Sequence, residues 1–326
     1  MQNFLSSQRF SSKGGQKEHI SSGFNNLEIE SMIRYHLIAD SRPMIRQPQA
    51  RERVVRRARD FCNRVHLMGH ASRLMMFARQ AVMDADARQI SLASGQVWWA
   101  LSLSGAKGRM KRTWWARPGG IYLCLAIYQG LLREKQQLYS LAAGLSIAQV
   151  LREWGVNAEL RWLNDVLVRG KKVAGILAET VNAPRLKESY LLTGIGINLN
   201  QEQFPLYLQA SSTSLFLETG RKWPLFDLGS HILSRIALNF ALLHDWEAET
   251  LGSEYSSQAD SKPCPVIREC ERLSGIAGRR VLYGLDLETG RGQAATAVRI
   301  LPDGALSLHL DSGGAIKATV GEIRYL

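Results

Sequence analysis

No stretch of the 326-residue chain stays apolar for the roughly 18 residues that a membrane-spanning helix needs, so no span is expected. Cysteine is scarce and scattered. Cys62, Cys124, Cys264 and Cys270 form no Cys-x-x-Cys pair and no cluster with histidine. That excludes a zinc knuckle and a disulfide framework, and it fits a reducing compartment, the cytoplasm. Acidic residues are in deficit, 29 against 41 Lys and Arg, which leaves a formal charge of +12. Such a balance favours anionic partners, whether nucleotide, acidic protein or nucleic acid, and does not choose among them. What the chain has in quantity is apolar side chains, 45% of the total, enough to pack one large or two modest domains.

Residues 1–26 are rich in Ser, Gly and Gln and read as a disordered arm. The pattern predicts a short helix over 27–38, with Pro43 and Pro48 as breakers beyond its end. Over 51–65, Arg51, Arg53, Arg56, Arg57 and Arg59 interleave with Val54, Val55, Ala58, Cys62 and Val65. The apolar set recurs at helical spacing, which predicts an amphipathic helix with a solvated arginine face. No helix, short turn, helix and wing can be picked out, so DNA binding is not expected. Residues 1–65 are assigned to a basic N-terminal extension, partly disordered.

The most informative stretch is 161–180. Apolar runs at 160–163 and 166–168 flank Asn164-Asp165, Arg169-Gly170 makes a turn, and a third run leaves it at 173–177. This predicts strand, kink, strand, turn, strand. Strict alternation in the last strand sets Lys172, Ala174, Ile176 and Ala178 on one face, and Val173, Gly175, Leu177 and Glu179 on the other. An ammonium among small apolar side chains is stable there beside an anion. A fixed cation with the Asp165 carboxylate and the Asn164 carboxamide suits the holding of a substrate carboxylate, phosphates and Mg2+. A solvated turn is the other reading of Lys171-Lys172.

Upstream, residues 95–102 predict a strand that feeds the loop 104–114. Lys107, Arg109, Lys111 and Arg112 crowd into this loop among small residues. They cannot be core, so the loop is either solvated or grips an anion. Before it, residues 70–74 open a helix that runs to about 85, with Ser72 as its N-cap. After it come a buried strand over 119–127 and an amphipathic helix over 138–151, stopped by Gly155. In the strand 190–200, Gly194 and Gly196 share a face, a bare strip where a planar ligand can approach the backbone. A final helix spans 225–245. Beyond residue 264 the texture changes. Strands near 280–283, 296–300, 305–309 and 315–320, with tight turns at Asp303-Gly304 and Gly313-Gly314, predict a small β-barrel of the SH3 type.

Trp162, Asn164, Asp165, Lys172, Ala174, Gly175, Ile176, Leu177 and Glu179 resemble, in that order, the core signature of the biotin–protein ligases. Leu163 departs from it, standing where that family has Pro. Gly108, Arg109, Arg112 and Trp114 are similar to the family's ligand loop, with Lys107 in place of an Arg. Ser104, Ala106 and Lys111 replace a Gln and two glycines there. The run Gly194-Ile195-Gly196-Ile197-Asn198, then Thr213-Ser214-Leu215 and Gly321-Glu322-Ile323, extend the resemblance over residues 66–326. A family Ser-Thr-Asn triplet that lines the biotin pocket is represented only by Ser72.

The resemblance implies an α+β fold, a mixed-sheet biotin/lipoate ligase catalytic domain at 66–258 followed by a small SH3-like β-barrel at 259–326. It implies ATP and Mg2+ as cofactors, biotin as substrate and a biotin carboxyl carrier protein as partner, and it leaves a homodimer open. Biotin would be activated to biotinyl-5′-AMP and passed to a carrier lysine. By the same resemblance Lys172, Arg109 and Asp165 are catalytic. Ser72, Ser104, Lys107, Gly108, Gly175 and Gly194 join Arg109 and Lys172 around biotin. Arg112, Trp114, Asn164 and Asn198 join Asp165 and Lys172 around ATP, with Asp165 on Mg2+. Two other readings stand beside it. One is a non-catalytic or regulatory biotin-binding relative, motivated by Ser104, Ala106, Lys111 and Leu163. The other is a lipoate–protein ligase, which shares the fold but shows Ser-Gly after its lysine, where this chain has Ala174-Gly175.

Overall fold

The computed structural model describes residues 24–129, 131, 135–253 and 263–326. Most of the expected N-terminal arm, and the expected domain boundary at residue 258, lie outside the described residues. The chain runs α1 (Asn26–Met44), α2 (Pro48–Ala58), β1 (Arg64–Met68), α3 (Leu74–Ala87), β2 (Gln96–Ala100), β3 (Ile121–Tyr128), α4 (Gln137–Glu153), β4 (Ala158–Arg161) and β5 (Asp165–Val168). It continues with β6 (Lys171–Ala183), β7 (Glu188–Ile197), α5 (Leu206–Gln209), α6 (Leu215–Thr219), α7 (Leu225–Ser253) and α8 (Pro265–Ser274). Five further strands close it: β8 (Arg280–Gly284), β9 (Gln293–Ile300), β10 (Leu306–Leu310), β11 (Ala315–Ala318) and β12 (Glu322–Tyr325).

Seven strands form a mixed sheet in the order β1-β2-β3-β7-β6-β5-β4, in which β1 and β2 are parallel and the other neighbours antiparallel. One face packs on α4 and α7 and holds the main core, with Trp99, Leu123, Ile195 and Ile176 pointing into it. α4 is buried almost all round, as a helix between a sheet and the helices α7 and α8 must be. The other face packs on α3 and carries a second apolar cluster that includes Leu74, Tyr122, Cys124 and Leu192.

The N-terminal helices are part of this packing. α1 starts at a capping box, in which Asn25 accepts from the Glu28 N–H at 3.1 Å and Glu28 accepts from the Asn25 N–H at 2.8 Å. It buries Ile29, Ile33 and Leu37 and lies against α7. Its Glu30 and Asn26 side chains accept the Val65 and Leu67 N–H groups at 2.9 and 3.0 Å. Those donors face away from β2 on an edge strand, so α1 covers the open edge of the sheet.

Three expected elements change. α1 runs past residue 38 to Met44, with Pro43 inside its last turn rather than breaking the chain beyond it. The helix expected over 51–65 ends at Ala58, because Asn63 turns to donate to the Gly95 carbonyl and Arg64 and Val65 are drawn into pairing with β2. Its arginine face is not wholly solvated, since Arg53 pairs with Asp245 at 2.5 Å and Glu249 at 3.0 Å on α7. α3 starts at Leu74 with Arg73 as N-cap and no side-chain cap bond, so Ser72 does not cap it.

The C-terminal strands form a separate antiparallel sheet in the order β11-β10-β9-β8-β12. Its two edge strands do not pair with each other among the described residues, so no closed barrel forms there, and the five strands are compatible with the expected small SH3-like domain. Residues 319–321 carry the chain across to the free edge of β8 instead of folding it back on β11. Among the described residues no helix is long and apolar enough to cross a membrane.

Candidate active site

β5 and β6 meet across Arg169-Gly170, whose φ angles are +48° and +78°. Positive φ at both central residues is the hairpin geometry that matches strand twist, and glycine takes it at little cost. The ladder then slips. Leu167 pairs with Lys172 but Val166 pairs with Ala174, which leaves Val173 as an extra residue, a β-bulge.

The bulge corrects the faces expected from strict alternation. Val173, Ala174 and Ile176 enter the main core, while Lys172 joins Gly175, Leu177 and Glu179 on the α3 side. A Cβ placed on Gly175 would lie 2.9 Å from the Lys172 Nζ. The backbone of Lys172 is held by the segment after α5: its N–H donates to the Ser211 carbonyl at 2.9 Å and its carbonyl accepts from Thr213 at 3.0 Å. Lys171 is exposed, its Nζ on the Gln209 carbonyl at 2.9 Å.

The Lys172 ammonium forms an ion pair with Asp165 Oδ1 at 2.5 Å, and Arg161 donates to Oδ2 at 2.5 Å. The Asp165 side chain is only 14% exposed. Burial pushes its carboxyl up, but the neighbouring Lys172 and Arg161 charges outweigh burial and hold it below the ordinary carboxylate range. Two cations around one carboxylate leave a surplus positive charge for a bound anion.

Strand register places this group at one end of a row that crosses the whole sheet: Arg161, Asp165, Gly175, Gly196, Tyr122, Ala100 and Met68. Charge sits on β4 and β5, uncovered backbone on β6 and β7, and aromatic or apolar side chains beyond. The glycine strip, expected from sequence to be bare, is covered. The Trp114 indole lies over Gly175 and Gly196, 3.0 and 2.6 Å from where their Cβ atoms would stand, and Met75 lies 2.9 Å from that of Gly194. The planar group on the strip is thus the protein's own indole. Its Nε1 is buried with no hydrogen-bond partner among the described residues. The Lys172 Nζ stands 5.3 Å from its ring centroid, within reach of a cation–π attraction.

The basic loop is tied to the C-terminal sheet. Arg109 Nη1 donates to Asn164 Oδ1 at 3.2 Å and to the Gly321 carbonyl at 2.8 Å. Arg112 pairs with Glu322 at 2.7 Å, with Glu288 at 3.1 Å and with Asp286. Lys107 Nζ donates to Thr113 Oγ1 at 3.1 Å, and the Gly108 N–H to the Arg112 carbonyl at 2.8 Å. Asn164 spends its other end on the Ile176 carbonyl at 2.8 Å. Asn198 donates to the Thr213 carbonyl at 3.0 Å and keeps a buried Oδ1 with no partner among the described residues.

One cavity of about 1050 Å³ is lined by every candidate catalytic, biotin-binding and ATP-binding residue named from sequence except Ser72 and Ser104. Those two segments zip together through backbone, Gly105 N–H to the Ser72 carbonyl and Ser104 N–H to the Ala71 carbonyl, and both serine side chains are exposed. Sequence reasoning missed Arg161, Tyr122, Leu74 and Met75. Arg161 carried a signal: four residues before Asp165 across a tight strand connection, it must stand opposite that carboxylate.

Residues 79–198 match the profile of the biotin/lipoate A/B protein ligase family. Over 134 residues the chain is 33% identical to the bifunctional ligase/repressor BirA of Bacillus subtilis, covering 40% of this chain and 41% of that protein. Over 116 residues it is 34% identical to the biotin–[acetyl-CoA-carboxylase] ligase of Mycobacterium tuberculosis, covering 34% of this chain and 37% of that one. The alignments thus span about two fifths of the length of these relatives. In fold, the chain resembles the biotin protein ligase from Aquifex aeolicus in complex with biotin and ATP, with a TM-score of 0.61 and 20% identity, over 80% of this chain and 98% of that one.

Proposed function

We propose that the protein, whose residues 79–198 match the profile of the biotin/lipoate A/B protein ligase family, is a biotin–protein ligase acting in the cytoplasm on a biotin carboxyl carrier protein. The observation that carries the reading is the Arg161–Asp165–Lys172 group at the head of a glycine-floored cavity. A biotin carboxylate at Lys172 attacks the α-phosphorus of ATP, and pyrophosphate leaves. The carrier's lysine amine then attacks the acyl carbonyl of biotinyl-5′-AMP, and AMP leaves. Two anions must meet in the first step, so the positive charge left over at Lys172 and Arg161, with Arg109 beside Asn164, lowers the repulsion between them.

The residues fit Mg2+ as an ion that arrives on the nucleotide. Asn198 Oδ1, without a partner among the described residues, is an oxygen of the right kind, while the Asp165 carboxylate is already shared by two cations. That donor set suits an ion whose main ligands are phosphate oxygens and water. Mg2+ held there would supply charge neutralisation of the phosphates. Pyrophosphate release from ATP that depends on biotin, followed by biotin transfer to a carrier domain, is the test. A protein that binds biotin yet releases no pyrophosphate would refute the enzymatic reading.

A further inference from the structure

The second half-reaction brings a protein to the mouth of the cavity, and that mouth differs from side to side. α3, the C-terminal sheet and the segment 204–212 all line it. The segment 204–212 is the side joined to the reacting lysine, because the Ser211 carbonyl holds the Lys172 N–H and Lys171 Nζ reaches the Gln209 carbonyl. Within it α5 buries none of its side chains. Leu206 and Tyr207, 86% and 73% exposed, are the two most exposed large apolar side chains among the described residues, and they are adjacent. Tyr207 lines the cavity and Leu206 stands outside it. Beside them are Arg169, 77% exposed, and the exposed Lys171, and neither 169–172 nor 204–212 contains an acid. This lip is apolar and basic. On the C-terminal side, by contrast, Arg112 is neutralised by Asp286, Glu288 and Glu322. On α3, Arg79 pairs with Glu179, which lies seven residues along β6 from Lys172, roughly 20 Å at the rise of a strand.

We propose that the lip formed by Leu206, Tyr207, Arg169 and Lys171 is the docking surface for the carrier domain, which meets it with an acidic face around an apolar patch. The proposal rests on the transfer step proposed above. The attacking amine sits on a four-carbon stem, so the backbone that bears it must stop at the cavity mouth on the side nearest Lys172. α5 occupies that side. A basic lip attracts an acidic partner and repels a second copy of this chain, whose formal charge is +12. Charge at a rim acts mainly on encounter, and affinity comes from buried anchors, among which tyrosine is enriched. Leu206 and Tyr207 supply that anchor.

The experiment separates the two half-reactions in the intact chain. Leu206→Asp should leave biotin-dependent ATP–pyrophosphate exchange within about twofold, as an exposed substitution does. The same variant should raise KM for a biotin carboxyl carrier domain about tenfold, the loss of an anchor worth about 1.4 kcal/mol. Lys171→Glu should raise that KM about threefold at low salt, with the difference fading as salt is added. Tyr35→Asp places the same new charge on a 70% exposed side chain of α1 and should change neither reaction. An unchanged carrier KM in Leu206→Asp, or an equal rise in Tyr35→Asp, overturns the docking surface and leaves the ligase reading in place. So does loss of a dimer, or of binding to anionic phospholipid vesicles, in Leu206→Asp with carrier kinetics intact, which would give the lip to a second copy or to a membrane. Absence of biotin-dependent exchange in the unmodified chain overturns the ligase reading and the proposal with it.

Discussion

Lys111 and its neighbour Met110 have φ of +60° and +53°, inside the single 3-10 turn Arg109–Lys111. In the left-handed region an L side chain crowds the following carbonyl, at a cost of about 1–2 kcal/mol per residue. The turn sets the geometry of both loop arginines, since the Arg112 N–H donates to the Arg109 carbonyl at 3.1 Å and the Arg112 carbonyl accepts from Gly108. Through it, strain at Lys111 is coupled to the contacts of Arg109 with Gly321 and of Arg112 with Glu322. Lys111→Gly removes the left-handed penalty. Glycine also gives the released loop more freedom, worth about 0.5–1 kcal/mol in the opposite direction. The balance favours the ordered loop by about 0.5–1 kcal/mol, a two- to fivefold shift by the relation of about 1.4 kcal/mol per decade.

Contacts made on closure act on dissociation more than on encounter. Lys111→Gly should therefore slow the loss of bound biotinyl-5′-AMP about two- to fivefold. Ala106 is the control. Its φ is not positive and its side chain is buried in the apolar cluster, so Ala106→Gly trades contacts for chain entropy and should not slow release. The measurement is a chase of preformed adenylate from the three proteins. An unchanged or faster off-rate in Lys111→Gly, or equal slowing in Ala106→Gly, would show that backbone strain at this turn does not govern the loop.

Lys172→Ala should lower pyrophosphate release by at least about 100-fold, as loss of an electrostatic contact to a developing charge does, while Lys171→Ala stays within about threefold. Equal effects would place neither lysine at the reaction. Burial, helped by Arg57, pushes His244 down to about 4, so the folded state stays neutral while the unfolded chain takes a proton below about 6.5. Stability is then full above that pH and falls towards pH 4; between pH 7 and 5 urea titrations should show a loss of about 2 kcal/mol that His244→Leu abolishes, and an undiminished loss in the variant would refute the assignment. Arg112→Gln and Glu322→Gln, made singly and together, should show about 1 kcal/mol of coupling in urea unfolding, and strict additivity would mean that the pair does not tie the loop to the C-terminal sheet.

What was legible in the sequence was local. The Arg169-Gly170 turn, the apolar runs on either side and the Gly155 stop of α4 are fixed by residues within a few positions of each other, and the structure has each of them. The charged loop and the Asn164-Asp165 pair were legible for a related reason, because clustered cations and a polar pair between apolar runs have few places to go. What failed depended on partners far along the chain. The face that Lys172 takes is set by how β6 slips against β5, and one extra residue reverses every side chain before it. Arg112 is spoken for by Asp286, Glu288 and Glu322, which stand more than 170 positions away.

The two serines show the same limit at the site itself. Ser72 and Ser104 were the two hydroxyls expected around biotin, yet pairing between their segments is made through backbone and both side chains are exposed. The cavity is lined without them, with Leu74, Met75, Leu103 and Ala106 among its walls. A motif names the residue types, but the register of the strands beneath it decides which atoms face the ligand. Here register keeps the charged end of the row intact, with Lys172, Asp165 and Arg161 in contact, and leaves the far end apolar. The Lys172–Asp165–Arg161 end of the cavity is therefore fixed by built contacts, which the exposed serines do not share.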